Sequence, residues 1–313
     1  MPTNYNRAIG KEDAKPLCLA TVTTSGYLQW TMVMVHSFLK SNPWFDGDIV
    51  LITNELSVDD RTRFSIFPNV SFREPSGRLT GAIEKLVEEK PGFINLVPMF
   101  WSLELFNLTG YRKALFLDSD MLVVKSLAEV FELPESMYAC AESCWYQGKG
   151  RRVDTYEAAI TADDPAIFIE KPVNSGFLLV DGQFLTPENY SGMVDMIKPG
   201  LWENKGTLHA DQLIINLFFQ GRFTLLDARY NFRPVNASLM MEKEGIGLED
   251  ACVIHYFRQY KPWNFNEVLK LSKDEMVHLK AFRMWYSAYI ELLKFNHLKQ
   301  KINQLKSDGP ANS

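Results

Sequence analysis

Short apolar runs alternating with stretches long enough for helices are what most constrain the fold of this sequence. Residues 17–22 form a β-branched apolar run, Thr23-Thr24-Ser25-Gly26 reads as a turn, and residues 27–39 are apolar over a helix length. The alternation repeats. Residues 48–53 (Asp-Ile-Val-Leu-Ile-Thr) read as a buried strand, 58–67 as a polar helix with Asp59 and Asp60 near its positive end, and 70–72 as a third strand. A helical segment at 98–107 then leads into the strand Lys113–Leu117. Strands alternating with helices imply a parallel sheet, so the expected class is α/β. After Ser126 the rhythm changes: 173–180 and 251–257 read as strands, and the Gly-, Asp- and Pro-rich stretch 147–172 as a loop or lid.

The 313 residues, 46% of them apolar, suffice for one large α/β domain or two small ones. A net charge of -5 and a pI near 5.7 give no drive toward nucleic acid, so any nucleotide bound should be small. The first residues are polar, and no window approaches the roughly 20 apolar residues of a membrane span, which points to a cytoplasmic chain. Cys18, Cys140, Cys144 and Cys252 are too scattered for a disulfide framework, and no second ligand pair at zinc spacing joins Cys140 and Cys144.

Ligands of a parallel sheet sit beyond the carboxyl ends of its strands, and Asp118 and Asp120 directly follow the apolar run Ala114-Leu115-Phe116-Leu117. In extended geometry residues two apart face one side, so both carboxylates can converge on one hard divalent cation that also takes diphosphate oxygens. A polar turn would use the same residues. So would a haloacid-dehalogenase-type phosphatase, with an aspartate nucleophile and an acid/base aspartate two residues apart. That rival expects its motif near the start of the catalytic domain and a later Lys with an acidic pair. Here Asp118 lies far down the chain and Lys171 is followed by no Asp-Asp, which weakens it.

Further along stand Asn174-Ser175-Gly176, Asp211-Gln212 at the head of a helical run, Tyr230-Asn231, and His255 ahead of Lys261-Pro262-Trp263-Asn264. In this order, with Thr23-Thr24 and Asp118-Ser119-Asp120, the series resembles glycosyltransferase family 8, and is most similar to its glycogenin-like branch. The resemblance runs from about residue 17 to 264. It implies one Rossmann-like nucleotide-sugar transferase domain of the GT-A type with a mostly parallel central sheet. It also implies a UDP-sugar donor, Mn²⁺ (or Mg²⁺ in its place) and retention at the anomeric carbon. The implied metal ligands are Asp118, Asp120 and His255, the imidazole favouring Mn²⁺. Ser119 joins its flanking aspartates in the donor site, and Lys261 is the implied cation for the diphosphate. Val22, Thr24 and Tyr27 match the strand, loop and helix that hold uracil, with Tyr27 either stacked on the base or turned to the core. Asn174 and Ser175 match the loop that reads sugar hydroxyls. Asp211 and Gln212 match the pair beside the anomeric centre, expected as positioning groups in a front-face displacement. Trp263 fits a packed corner as well as a site.

Two departures from the family pattern stand out. A basic residue aimed at the phosphates usually precedes the aspartate pair, and counting back lands on Ser102, with Lys90, Arg112 or Lys113 as candidate replacements. Arg258 stands where the family has Gly in His-x-x-Gly-x-x-Lys-Pro-Trp, and beside a diphosphate it would supply the missing charge. A catalytically silent relative that binds a nucleotide-sugar or carbohydrate is the alternative the Ser102 departure leaves open. Beyond the motifs, 266–306 reads as helical, with Phe282, Trp285, Tyr286, Tyr289, Ile290 and Phe295 among lysines. A helical pair packed on the domain or on a second subunit, as in a homodimer, is the primary reading, and peripheral contact with a membrane surface the alternative. The expected organisation is an N-terminal extension (1–16), a catalytic domain (17–265), a helical extension (266–306) and a disordered tail (307–313). The acceptor is expected to be a carbohydrate, polyol, glycolipid or protein hydroxyl, and no motif marks any of the twelve tyrosines for self-glycosylation.

Overall fold

The computed structural model describes residues 16–146, 172–203, 209–257, 260–271 and 276–307. Its strands are β1 (Leu17–Val22), β2 (Asp48–Ile52), β3 (Val70–Arg73), β4 (Lys113–Leu117), β5 (Met121–Val123), β6 (Met137–Ala141), β7 (Val173–Asp181), β8 (Phe223–Leu226) and β9 (Val253–His255). Seven of them form one sheet in the order β3-β2-β1-β4-β7-β6-β8, while β5 and β9 make a separate antiparallel ribbon. Only β7 runs against its sheet neighbours β4 and β6. The sheet is therefore mostly parallel, as expected.

Alternate residues of the central strands feed two cores, one on each face. Leu19, Leu115, Leu117 and Leu179 pack against the helix Leu28–Ser41 and the C-terminal helix Met276–Ser307. Ala20, Ala114, Phe116 and Leu178 face the helices Gly77–Glu89, Pro187–Asp195 and Asp211–Phe218 and the 3-10 turns of Trp101–Asn107. A strand covered on both faces reads as a near-continuous apolar run, which accounts for residues 114–117 in β4. Each buried Leu or Phe among them stabilises the fold by roughly 1.5–3 kcal/mol.

The reversed β7 is what assembles the site. Because it enters antiparallel, its first residues lie beside the carboxyl end of β4: Leu117 pairs with Phe177, and the Asp118 N–H donates to Gly176 O at 2.9 Å. The β5–β9 ribbon then brings in the far end of the chain, with Met121 opposite His255 and the Tyr256 N–H on Asp120 O at 3.1 Å.

Several elements depart from the sequence reading. The segment 98–107 is a short α-helix, Val97–Phe100, continued by 3-10 turns, and the last strand contracts to β9. Strands β5, β6 and β8 and the helices Gly77–Glu89, Pro187–Asp195 and Ala237–Glu244 were not foreseen. The expected helical extension is two helices, Phe265–Leu271 and Met276–Ser307. The lid at 147–171 and the tail beyond 307 lie outside the described residues.

Candidate active site

Asp118 and Asp120 occupy the turn between β4 and β5, closed by the Met121 N–H on Asp118 O at 3.1 Å. Their convergence comes from this turn rather than from extended geometry, which ends at Leu117. His255 Nε2 stands 3.3 Å from Asp120 Oδ1 and 3.7 Å from Asp118 Oδ2. The three side chains offer ligand atoms within 4.8 Å of one another. Gly176 leaves the room they need, since a Cβ there would sit 2.6 Å from Asp118 Oδ2 and 2.9 Å from His255 Cε1.

Charge and burial fit a cation here. Asp120 is buried, and among the described residues its Oδ1 has no hydrogen-bond partner, a costly state for a carboxylate oxygen unless a cation sits against it. Burial holds His255 down to about 4, against the opposing pull of Asp118, so the ring is neutral and ligand-competent near neutral pH. The protein mass around Asp118 raises its carboxyl, Asp211 adding to the rise and His255 and Lys261 opposing it. Lys261 lies against Asp120, with burial lowering its ammonium to about 8.

Beside this cluster runs a buried polar network. His255 Nδ1 lies 2.9 Å from Asn231 Oδ1, and Asn231 Nδ2 donates to Asn174 Oδ1 at 2.8 Å. Asn174 Nδ2 donates to Glu142 Oε2 at 2.7 Å and to Gln212 Oε1 at 3.0 Å, and the latter oxygen also accepts from the Ser175 N–H. Behind Glu142 stands Arg233, fully buried, 3.6 Å away and lying over the Tyr146 ring. Asp211 heads its helix as expected. Burial raises its carboxyl, and the hydroxyls of Ser102 and Ser175 oppose the rise.

The structure thus joins Asp118, Asp120, His255, Lys261, Asn174, Ser175, Asp211 and Gln212 in one region, through the contacts above. The Val22 carbonyl accepts from the Ser119 hydroxyl, tying β1 to the turn. Thr24 precedes the 3-10 turn Ser25–Tyr27, and Tyr27 is 37% exposed, edge-on to Trp263 with ring centroids 5.7 Å apart. Trp263 is a packed corner: it stacks on Trp30 at 4.4 Å with the planes 1° apart. Arg258 lies outside the described residues.

One set of expectations fails. Arg112 and Lys113 sit at the amino end of β4, opposite to Asp118, and the Lys113 ammonium is spent on the carbonyls of Phe131 and Leu133. Lys90 closes the helix that runs back from the carboxyl end of β3. None of the three replaces a cation at Ser102. Instead Ser102 is buried and its hydroxyl donates to Asp211 Oδ2 at 2.8 Å. Glu142 and Arg233 escaped the sequence reading, because a buried ion pair leaves no local pattern in sequence.

The fold is of the GT-A class, with the carboxylate–carboxylate–imidazole cluster at the carboxyl edge of its mostly parallel sheet. Galactosyltransferase LgtC, solved with donor and acceptor sugar analogues, shares this fold with a TM-score of 0.66 over 88% of this chain and 95% of its own, at 16% identity. The model of glycosyl transferase family 8 matches residues 18–267, and the chain belongs to that family. Galactinol synthase 5 of Arabidopsis thaliana is 23% identical over 216 residues, 64% of this chain and 62% of the synthase. Glycosyltransferase GlyE of Streptococcus pneumoniae serotype 4 is 28% identical over 170 residues, 51% of this chain and 36% of GlyE. The match therefore spans less than two thirds of either relative. Family membership replaces the phosphatase reading.

Proposed function

We propose that the chain is a retaining transferase that moves a hexose or related sugar from a UDP-sugar to a hydroxyl acceptor, with Mn²⁺, or Mg²⁺ in its place, as cofactor. The observation that carries this reading is the convergence of two carboxylates and a neutral imidazole on one point, with one oxygen of Asp120 buried and unpaired. Asp118, Asp120 and His255 would hold the cation, whose chemistry is to neutralise charge on the diphosphate oxygens. LgtC is named a galactosyltransferase and several relatives are named galactinol synthases, which supports a hexose donor.

The protein's own groups divide the remaining work. Val22, Thr24 and Tyr27 hold the base, and Lys261 meets the diphosphate as a point charge. Asn174 and Ser175 read sugar hydroxyls, while Asp211 and Gln212 orient the anomeric carbon. The bond from that carbon to the diphosphate oxygen breaks, and the bond to the acceptor oxygen forms on the same face. The acceptor's proton passes to the leaving phosphate. Acceptors of this reading are a carbohydrate, polyol, glycolipid or protein hydroxyl.

Thermal unfolding with a panel of UDP-sugars tests the reading, since a ligand at 100 times its Kd stabilises by about 2.7 kcal/mol. A rise in Tm for at least one UDP-hexose with Mn²⁺, lost with EDTA, is expected, together with UDP release when an acceptor is present. No stabilisation by any UDP-sugar, with or without Mn²⁺, sinks the proposal. Binding without release from any acceptor favours the silent relative instead.

The partner side of the proposal concerns the helix Met276–Ser307. Trp285 and Leu292 point into the domain, whereas Tyr286, Ile290 and Leu293 stand exposed on the outer side. That side we assign to peripheral contact with an anionic membrane surface.

A further inference from the structure

His255 can carry its single proton on either ring nitrogen, and only one choice leaves the Nε2 lone pair facing Asp118 and Asp120. The hydrogen bonds around it decide which. At the far end of the network Glu142 is a carboxylate beside the Arg233 guanidinium and can only accept, so the Asn174 atom 2.7 Å from it is the amide nitrogen. Two other contacts require the same orientation. Asn174 Oδ1 accepts from the Gly176 N–H at 3.2 Å, and Asn174 Nδ2 faces Gln212 Oε1, an oxygen identified by the Ser175 N–H that it accepts. Turning the Asn174 amide over would set oxygen against carboxylate and NH₂ against a backbone N–H.

With Asn174 fixed, Asn231 has no freedom left. Its Nδ2 must donate to Asn174 Oδ1, which turns its Oδ1 toward His255 Nδ1 at 2.9 Å. An acceptor there requires the proton on Nδ1. On the opposite edge of the ring, Nε2 lies 3.3 Å from Asp120 Oδ1 and 3.7 Å from Asp118 Oδ2.

We propose that Asn231 is a positioning residue. Through an amide relay anchored by Asn174 and Glu142, it holds His255 as the Nδ1–H tautomer and aims the Nε2 lone pair between Asp118 and Asp120. Partners of this kind fix both the tautomer and the ring plane of a ligating histidine. The consequence for cation affinity rests on the metal reading above. The tautomer does not. The relay also makes Asn174 a shared member of the sugar-reading loop and of the histidine's support, so the two subsites are mechanically one.

The test uses the full chain. In metal-free protein labelled with ¹⁵N-histidine, two-bond ¹⁵N–¹H correlations should show the His255 ring, assigned by its absence from His255→Gln, as Nδ1–H. An Nε2–H ring, or an even mixture, overturns the relay, and this measurement needs no folded Asn231 variant. Electron paramagnetic titration with Mn²⁺ is the second arm. Asn231→Leu should weaken Mn²⁺ binding about 10- to 100-fold, the usual effect of losing such a partner. Asn231→Asp, which keeps an acceptor for Nδ1–H but turns an oxygen toward Asn174 Oδ1, should bind Mn²⁺ more tightly than Asn231→Leu while staying below wild type. Equal affinity in wild type and Asn231→Leu refutes the positioning role. Wild-type protein that shows the Nδ1–H ring yet binds no Mn²⁺ upholds the relay and overturns the metal reading.

Discussion

At the scale of single residues the site depends on what is missing as much as on what is present. Gly176 carries no side chain where a methyl group would meet Asp118 Oδ2, His255 Cε1 and Met121 Cε, all at 2.9 Å or less. Gly176→Ala should therefore leave the fold intact, because the backbone there is extended strand, but push apart the groups that converge on the cation. A displacement near 1 Å at reacting groups can cost about 100-fold in rate, and that is the expected loss in kcat/KM, with Mn²⁺ affinity falling in parallel. Steady-state kinetics beside a melting curve check it, and full activity would show that the close approach is not needed. The sequence displayed Asp118, Asp120, His255 and Lys261 because their order and spacing are themselves the signal. It hid the purposes of Asn231, Glu142 and Arg233, since their roles arise from burial between strands distant in the chain. Ser102 is the instructive case: the absent charge was visible, whereas its partner Asp211, far along the chain, was not.

At the scale of elements, Trp263, just ahead of the helix Phe265–Leu271, is held by aromatic packing. Trp263 stacks on Trp30 of the helix Leu28–Ser41, and both rings lie against Trp285 of the C-terminal helix at 5.9 and 5.2 Å. Lys261 is two residues from that stack, so the C-terminal helix sets the position of a cation at the site. Trp263→Ala should cost about 2 kcal/mol of stability for a half-buried ring and raise the KM for donor about 10-fold, with kcat changed only a few-fold. An unchanged KM alongside a lowered Tm would make the stack a purely structural one. Strands β1, β2 and β4 were legible because each is a mostly apolar run of five or six residues, whereas the helix Gly77–Glu89 between β3 and β4 was not. The β5–β9 ribbon was not: three-residue strands carry no period, and their pairing depends on contacts across the chain. Nor does any local pattern announce that β7 reverses, although the reversal places Gly176 beside Asp118.

At the scale of the whole molecule, charge is unevenly shared. The chain carries a net -5, yet the helix Met276–Ser307 holds six Lys or Arg and a single carboxylate, Glu291, which Lys40 pairs at 2.6 Å. The aromatic residues foreseen there divide between two sides. Trp285 and Phe295 turn inward against Trp30 and Phe67, while Tyr286, Ile290 and Leu293, three and four residues apart, line the exposed side. Helical spacing places Arg283, Lys294 and Lys301 in a row next to that apolar stripe. A second copy docking through the stripe would bring one basic row against another. An anionic lipid surface would instead take the apolar stripe into its interface and pair with the row. Three basic residues at about 1 kcal/mol each correspond to a partition coefficient roughly 100-fold higher on anionic than on neutral vesicles. The full chain should float with vesicles holding 30% phosphatidylglycerol, as an arbitrary test composition, and not with pure phosphatidylcholine, and 0.5 M salt should release it by screening. Arg283→Glu combined with Lys294→Glu and Lys301→Glu should abolish flotation while leaving transfer to a soluble acceptor unchanged, because none of the three touches the site. Failure to float on either vesicle, with a dimer in sedimentation that Ile290→Asp splits, would assign the stripe to a second subunit.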